Sequence, residues 1–440
     1  MMVQGASFMS LTLGIRREDK NKWEKRTPIT PEHVKKLKDE HGINAIIQTS
    51  PIRIFKDKEY QYVGAKIQED ISTANVIFAV KEIPQHLFEN NKTYVFFSHV
   101  IKGQKKNIPM LKKMMQQECT LIEYEKITDD KNRRLVFFGR YAGLAGMVDS
   151  LWAFGQRMKW KGIKTHFSEI EQTVKYKDLD EIKDHLNRVG NKIEKNGLNE
   201  LISPIVVGFA GYGNVSRGAQ EIIDMLPIRE IQPSQLEAIQ KNYSDKQIYK
   251  VVFKEEDMVE PISTETEFDL QDYYKNPHLY RSVFEKYIPR LSILMNCIYW
   301  DKRYPRLITK DFIEENYTLQ MKLQVIGDIS VDINGAIEFN VKTTDPSEPV
   351  FVYNPIREDI IEGFAGDGVV IMSVDNLPCE LPRESSRSFS ESLMPFIPDI
   401  VKADYSVPFE KLDLPPEIKK AVILYKGKLT PNYEYINKFL

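Results

Sequence analysis

The chain has 440 residues, enough for two domains of ordinary size with cores of their own. Its 61 Lys and Arg against 63 Asp and Glu leave a formal charge of -2, which gives no electrostatic ground for a nucleic-acid or membrane-surface partner. Three widely spaced cysteines, Cys119, Cys297 and Cys379, make neither a C-x-x-C metal pattern nor an even disulfide set, so a reducing compartment such as the cytoplasm fits and no metal site is expected. No apolar run approaches the ~20 residues of a membrane span. Met1–Ser10 has no basic stretch followed by a long apolar one and reads as a loose leader, not a secretory signal.

Strands are predicted at Leu11–Ile15, Asn44–Gln48, Val76–Val80, Tyr94–Phe97 and Thr120–Ile122. Helices fall at Pro31–His41, with Thr30 as cap and Gly42 as stop, and at Leu111–Gln117. This alternation implies a parallel, doubly wound sheet, in which ligands bind beyond the carboxyl ends of the strands. Those ends carry Arg16, Arg17 and Glu18, then Lys81 and Glu82, then Ser98 and His99, then Glu123 and Glu125. Any one of these charges alone is an ordinary solvated loop residue. Together they suit an anionic substrate and proton exchange near neutral pH.

Arg140 precedes a long helical stretch whose first turns are small: Ala142, Gly143, Ala145 and Gly146. Either a backbone or flat ring approaches there, or a second helix packs tightly; the stretch is taken as the connector between domains. Residues 165–200 form a charged helical segment, read as a solvated face or a dimer contact, and homo-oligomerisation stays open.

Ile205–Phe209 reads as a strand buried on both faces, followed by Gly211, Gly213 and Gly218 and then a helical pattern through Ala219, Ile222 and Ile223. Strand, glycine turn and helix open a dinucleotide-binding βαβ unit. Gly211 allows the tight turn and Gly213 the close approach of a pyrophosphate, with Asn214 and Val215 opening the helix; Ser216 stands where a third glycine is usual. The next strand is placed at Ile228 onward and ends at Gln232, where an acid would read the ribose of NAD, so NADP is mildly favoured. Residues 235–290 are expected to be an irregular insertion beyond a helix at Gln235–Lys241. Further strands fall at Ser292–Tyr299, Gln324–Ile329 and Val369–Val374. Asp328, Ser330 and Asp332 lack calcium-loop spacing and are read as a turn beside the nicotinamide, and the last strand runs into Asp375-Asn376-Leu377. A capped helix after Pro378 is expected to return to the first domain, making that domain 11–140 plus 380–440, with 141–200 connecting and 201–379 binding dinucleotide.

Several ordered blocks are more specific than the glycines: Trp23-Glu-Lys-Arg-Thr-Pro, Phe96-Phe-Ser-His-Val-Ile-Lys, Phe138-Gly-Arg-Tyr-Ala-Gly, Gly211-Tyr-Gly-Asn-Val-Ser, Asn296-Cys-Ile-Tyr-Trp and Ser373-Val-Asp-Asn-Leu-Pro. On these the chain resembles the lysine-ketoglutarate reductases, the N-terminal half of bifunctional aminoadipate semialdehyde synthases, within the wider alanine dehydrogenase, transhydrogenase and saccharopine dehydrogenase group. The resemblance implies two doubly wound domains and NADPH-dependent condensation of lysine with 2-oxoglutarate to saccharopine, with NAD left open. It implies Lys81 and His99 as acid and base, Glu82 and Glu125 tuning them or binding ammonium groups, and Arg16, Arg17 and Arg140 on substrate carboxylates. Gly211, Gly213, Asn214, Val215, Gln232, Asp328, Asp375, Asn376 and Leu377 would line the cofactor. It further implies a separate saccharopine-cleaving enzyme, and a mitochondrial location if the source is eukaryotic. The alternatives are an NAD-dependent, lysine-forming saccharopine dehydrogenase, a related enzyme acting on another amine such as ornithine, and a non-catalytic metabolite-binding homologue.

Overall fold

A computed structural model describes residues 11–440; the loose leader expected for Met1–Ser10 lies outside them. The described chain forms two compact units, residues 11–138 with Pro382–Leu440, and Gly139–Leu381. Each is built on a mainly parallel eight-stranded sheet, as the alternating pattern predicts.

The first unit contains β1 (Thr12–Ile15), β2 (Asn44–Gln48), β3 (Lys66–Gln68), β4 (Val76–Phe78), β5 (Thr93–Phe96) and β6 (Thr120–Glu123). Helix α1 (Pro31–His41) starts and stops where its residues dictate. The Thr30 side chain accepts from the His33 N–H, Pro31 sits in the first turn where no N–H is required, and Gly42 ends the helix at φ 67°. Helix α2 (Asp57–Tyr62) and β3 are too short to show a period and escape the sequence reading. Helix α3 (Ile108–Gln116) leads into β6. Strands β6, β5, β4 and β1 are consecutive neighbours and all parallel, so their carboxyl ends emerge along one edge.

Helices α4 (Gly139–Trp160) and α5 (Leu179–Asn196) open the second unit, followed by β7 (Val206–Ala210), α6 (Asn214–Ile223), β8 (Ile228–Ile231) and β9 (Ile248–Phe253). Then come a small antiparallel ribbon, β10 (Val259–Pro261) with β11 (Tyr280–Ser282), and β12 (Ile293–Asn296), β13 (Val325–Asp328), β14 (Val350–Asn354), β15 (Asp359–Glu362) and β16 (Val369–Met372). The sheet order is β15-β14-β16-β13-β12-β7-β9-β8, with only β14 and β15 antiparallel to their neighbours. Val207 and Phe209 enter one apolar cluster and Val206 and Ala210 the other, because successive strand residues point to opposite faces. That is why these strands read as unbroken apolar runs.

Two expectations change here. The stretch expected to connect domains is a core helix of the second unit, buried through Leu144, Met147, Val148 and Leu151. A Cβ at Gly143 would meet the Val215 carbonyl oxygen and one at Gly218 the Arg140 carbonyl oxygen, so these glycines serve the close crossing of α4 and α6. The supposed irregular insertion supplies β9, which lies between β7 and β8. Its run Ile-Tyr-Lys-Val-Val-Phe is masked by Lys250, whose buried ammonium is 2.8 Å from Asp224 and 3.1 Å from Glu230.

The chain then returns to the first unit. In the helix Pro382–Leu393, Ser386 and Ser390 accept hydrogen bonds from the Thr27 and Thr30 N–H groups, both at 3.0 Å, and Phe389 stacks on Phe138. Two last strands, β17 (Val422–Tyr425) and β18 (Lys428–Leu429), extend that sheet beyond β6, with β17 antiparallel to it.

Candidate functional site

In the first unit, the ends of β4 and β5 bring Lys81, Glu82 and His99 together. His99 takes a left-handed backbone, φ 50°, and its Nδ1 lies 2.7 Å from Glu82 Oε1, while Lys20 Nζ is 3.4 Å from Glu82 Oε2. Burial alone would raise the Glu82 carboxyl, but the hydrogen bond from His99 and the charge of Lys20 outweigh it and hold it well below the usual carboxylate range. An ionised Glu82 accepts the proton on Nδ1 and so leaves Nε2 as the ring's acceptor. Lys81 is half-buried, and its ammonium is pushed down by burial first, then by the charges of Arg26 and Lys20.

Two buried glutamates hold this arrangement in place. Glu18 accepts from the backbone N–H groups of Val80, 2.6 Å, and Lys81, 2.9 Å. Glu123 accepts from the Ser98 N–H at 2.7 Å and from the Ser98 hydroxyl. Burial pushes both carboxyls up to about 7, with repulsion from Glu24 adding at Glu18 and from Glu125 at Glu123. A further buried pair, Glu24 with Arg26, is bidentate, and the guanidinium covers the Phe138 ring at 4.2 Å. The sequence places Glu18 and Glu123 among the strand-end charges without a role of their own, and singles out none of Lys20, Glu24 and Arg26. For Glu24 and Arg26 the signal was the Trp-Glu-Lys-Arg block, quoted for resemblance and not for chemistry.

The three arginines expected on substrate carboxylates each have partners of their own. Arg16 is buried and donates to Asp19 and to the Arg17 carbonyl, both at 2.6 Å. Arg17 turns to the β2–β3 side, where Glu69 lies 2.7 Å away. Arg140 belongs to the second unit and is bound by Glu221, at 2.6 Å, which also takes Lys183 at 2.8 Å. Glu125 faces Arg134 at 3.1 Å and lines a cavity of about 400 Å³ with Lys420 and Tyr433. None of these contacts joins Arg17 or Glu125 to the Lys81–Glu82–His99 group.

In the second unit, the carboxyl ends of β7, β12, β13 and β16 are neighbours. Gly211 has φ 92°, a conformation closed to most side chains, and a Cβ at Gly213 would have open space around it. Gly213 caps α6 without a side-chain hydrogen bond, with Asn214 and Val215 in the first turn. A cradle of free space at the start of a ten-residue helix fits a pyrophosphate. Asp375 is exposed and Asn376 half-buried beyond β16, whereas Leu377 is core. Asp328 is also buried: Asn296 and Asn340 donate to it at 2.9 and 2.7 Å, so it ties strand ends together, and burial pushes its carboxyl up to about 6. Gln232 directly follows β8, but β8 is the edge strand and β9 separates it from β7. Order along the chain and order in the sheet differ here, so Gln232 is displaced by two strand widths from the glycine turn.

Models of the alanine dehydrogenase/PNT N-terminal and C-terminal domains match residues 14–145 and 281–432. The chain is 39% identical over 441 residues to alpha-aminoadipic semialdehyde synthase of Arabidopsis thaliana, covering 96% of this chain and 41% of that protein, so it spans less than half the length of that relative. It is 28% identical to the NAD(+), L-lysine-forming saccharopine dehydrogenase of Yarrowia lipolytica, across 87% of this chain and 90% of that one. Among solved structures, an L-alanine dehydrogenase matches in fold with a TM-score of 0.62 at 16% identity, covering 98% of this chain and 100% of its own.

Proposed function

Because this chain belongs to the alanine dehydrogenase/PNT family, we propose that it is a nicotinamide-dependent oxidoreductase joining L-lysine and 2-oxoglutarate into saccharopine. The lysine ε-amine adds to the ketone carbon, a proton moves from nitrogen to oxygen, and the carbinolamine loses water to give an imine. The dinucleotide, when bound at the glycine turn, supplies hydride to the imine carbon. What the chain's own residues must provide is a base for the incoming ammonium and an acid for the departing hydroxyl. Lys81, its ammonium acidified by burial and by Arg26 and Lys20, and His99, oriented by Glu82, fill those roles. Arg16 and Arg26 are buried cations of the same unit, Arg26 acting on Lys81 through its charge, and are the proposed carboxylate receptors.

The single observation behind this reading is a half-buried lysine one strand away from a carboxylate-bound histidine, both at the carboxyl ends of parallel strands. The test is oxidation of NADH and NADPH with 2-oxoglutarate, screened against lysine, ornithine and other amines, with the product identified by mass. Oxidation that needs both 2-oxoglutarate and lysine supports it. Oxidation with ornithine alone would change the amine, and none with any pair would overturn the proposal. The reverse, lysine-forming direction is the second reading, favoured by similarity across 90% of a relative of that name.

A further inference from the structure

We infer that Glu255, just beyond β9, reads the adenosine ribose of the dinucleotide and makes this chain select NADH over NADPH. The inference rests on the dinucleotide reading of the glycine turn, and it reverses the cofactor preference drawn from Gln232. In a doubly wound sheet the ribose lies toward the strand that neighbours the glycine strand, and the residue at that strand's carboxyl end meets the 2′-position. Here the neighbour is β9, not β8.

The register places Glu255 at the right level. Ala210, the last residue of β7, pairs with Phe253, and the Gly211 N–H donates to the Phe253 carbonyl at 3.0 Å. The chain beyond β9 therefore leaves alongside the glycine turn. Glu255 is half-buried, and its Oε1 accepts the Tyr274 hydroxyl at 2.6 Å. Tyr212, between the two glycines, shares this hydrogen-bonded group. The carboxylate is thus held beside the turn by a residue of the turn itself.

Charge decides the choice between the cofactors. The segment after Phe253 is Lys254, Glu255, Glu256 and Asp257, two negative charges in excess. The single cation is drawn toward Glu256, 3.9 Å away, and is 60% exposed. A carboxylate accepts hydrogen bonds from a free 2′-hydroxyl, whereas a 2′-phosphate brought beside it adds like charge. Arg229 sits within edge strand β8 and not at its end.

Binding of NADH and NADPH to the full chain, followed by fluorescence without any substrate, tests this apart from catalysis. The wild type is expected to bind NADH more tightly by about tenfold to a hundredfold. Glu255→Gln should cut that ratio at least fivefold by improving NADPH, while Glu255→Asp keeps NADH ahead. A wild type that binds NADPH as tightly as NADH, or a ratio unchanged in Glu255→Gln, would overturn the inference and leave the glycine-turn reading standing. If neither dinucleotide binds, the glycine-turn reading fails and takes this inference with it.

Discussion

The two sheets present contrasting strand ends. In the first unit the ends of β1, β4, β5 and β6 carry charged side chains, and buried carboxyls of Glu18 and Glu123 clasp the backbone ahead of Lys81 and His99. In the second unit the residues directly ending β7, β12, β13 and β16 are uncharged or, at Asp328, buried. What they offer is backbone: a glycine at φ 92°, a helix start without a side-chain cap, and Asp328 satisfied by two asparagines. The same architecture thus yields two kinds of site. In the proposed function the first moves protons and must hold ionisable groups in a fixed state. In the same proposal the second holds a large anion and must keep side chains out of the way.

Gly213→Val would break this contrast most completely. Its backbone φ of -75° suits any residue and nothing surrounds the added Cβ, so the variant should fold normally yet lose dinucleotide binding by more than a hundredfold. Normal affinity would mean that the turn holds no pyrophosphate. Glu82→Gln comes next. It removes the charge that fixes the His99 tautomer, so turnover should fall roughly ten- to hundredfold, with the pH profile displaced and dinucleotide affinity intact. A profile identical to wild type would detach Glu82 from the chemistry.

Glu123→Gln sharpens the comparison through stability. A carboxyl raised from 4.5 to about 7 in the folded state binds more protons there than when unfolded. Its contribution is therefore full below about 4.5 and is lost as the pH rises through about 7, and Glu18 behaves in the same way. Melting temperatures measured across this window should show the variant gaining on the wild type as pH rises. A constant offset would deny that Glu123 titrates there. Arg140→Ala should have the smallest effect, below about 1 kcal/mol, because its pair with Glu221 is substantially exposed. A selective rise in KM for 2-oxoglutarate would instead return Arg140 to the substrate role implied by resemblance.

The parts legible in the sequence are those with local causes. Thr30 and Gly42 bracket α1, and Gly211 opens the turn after an unbroken apolar strand, because caps and turns depend on residues a few positions apart. Lys81 and His99 were visible as charges ending apolar runs. So were Glu18 and Glu123, but their hold on the backbone was not, since a glutamate after a strand reads as solvated until the neighbouring strand's N–H groups are seen to point at it. Strand β9 was hidden by one buried lysine in its middle, and with it went the spatial order of the sheet. Gln232 was therefore weighed for a position that Glu255 occupies.

The central claim is that Lys81 moves protons in a reaction whose hydride comes from a separately bound dinucleotide. Measuring turnover and dinucleotide affinity together in Lys81→Met tests it most directly. The account predicts turnover reduced by about a hundredfold or more with affinity unchanged. Turnover equal to that of the wild type would contradict it.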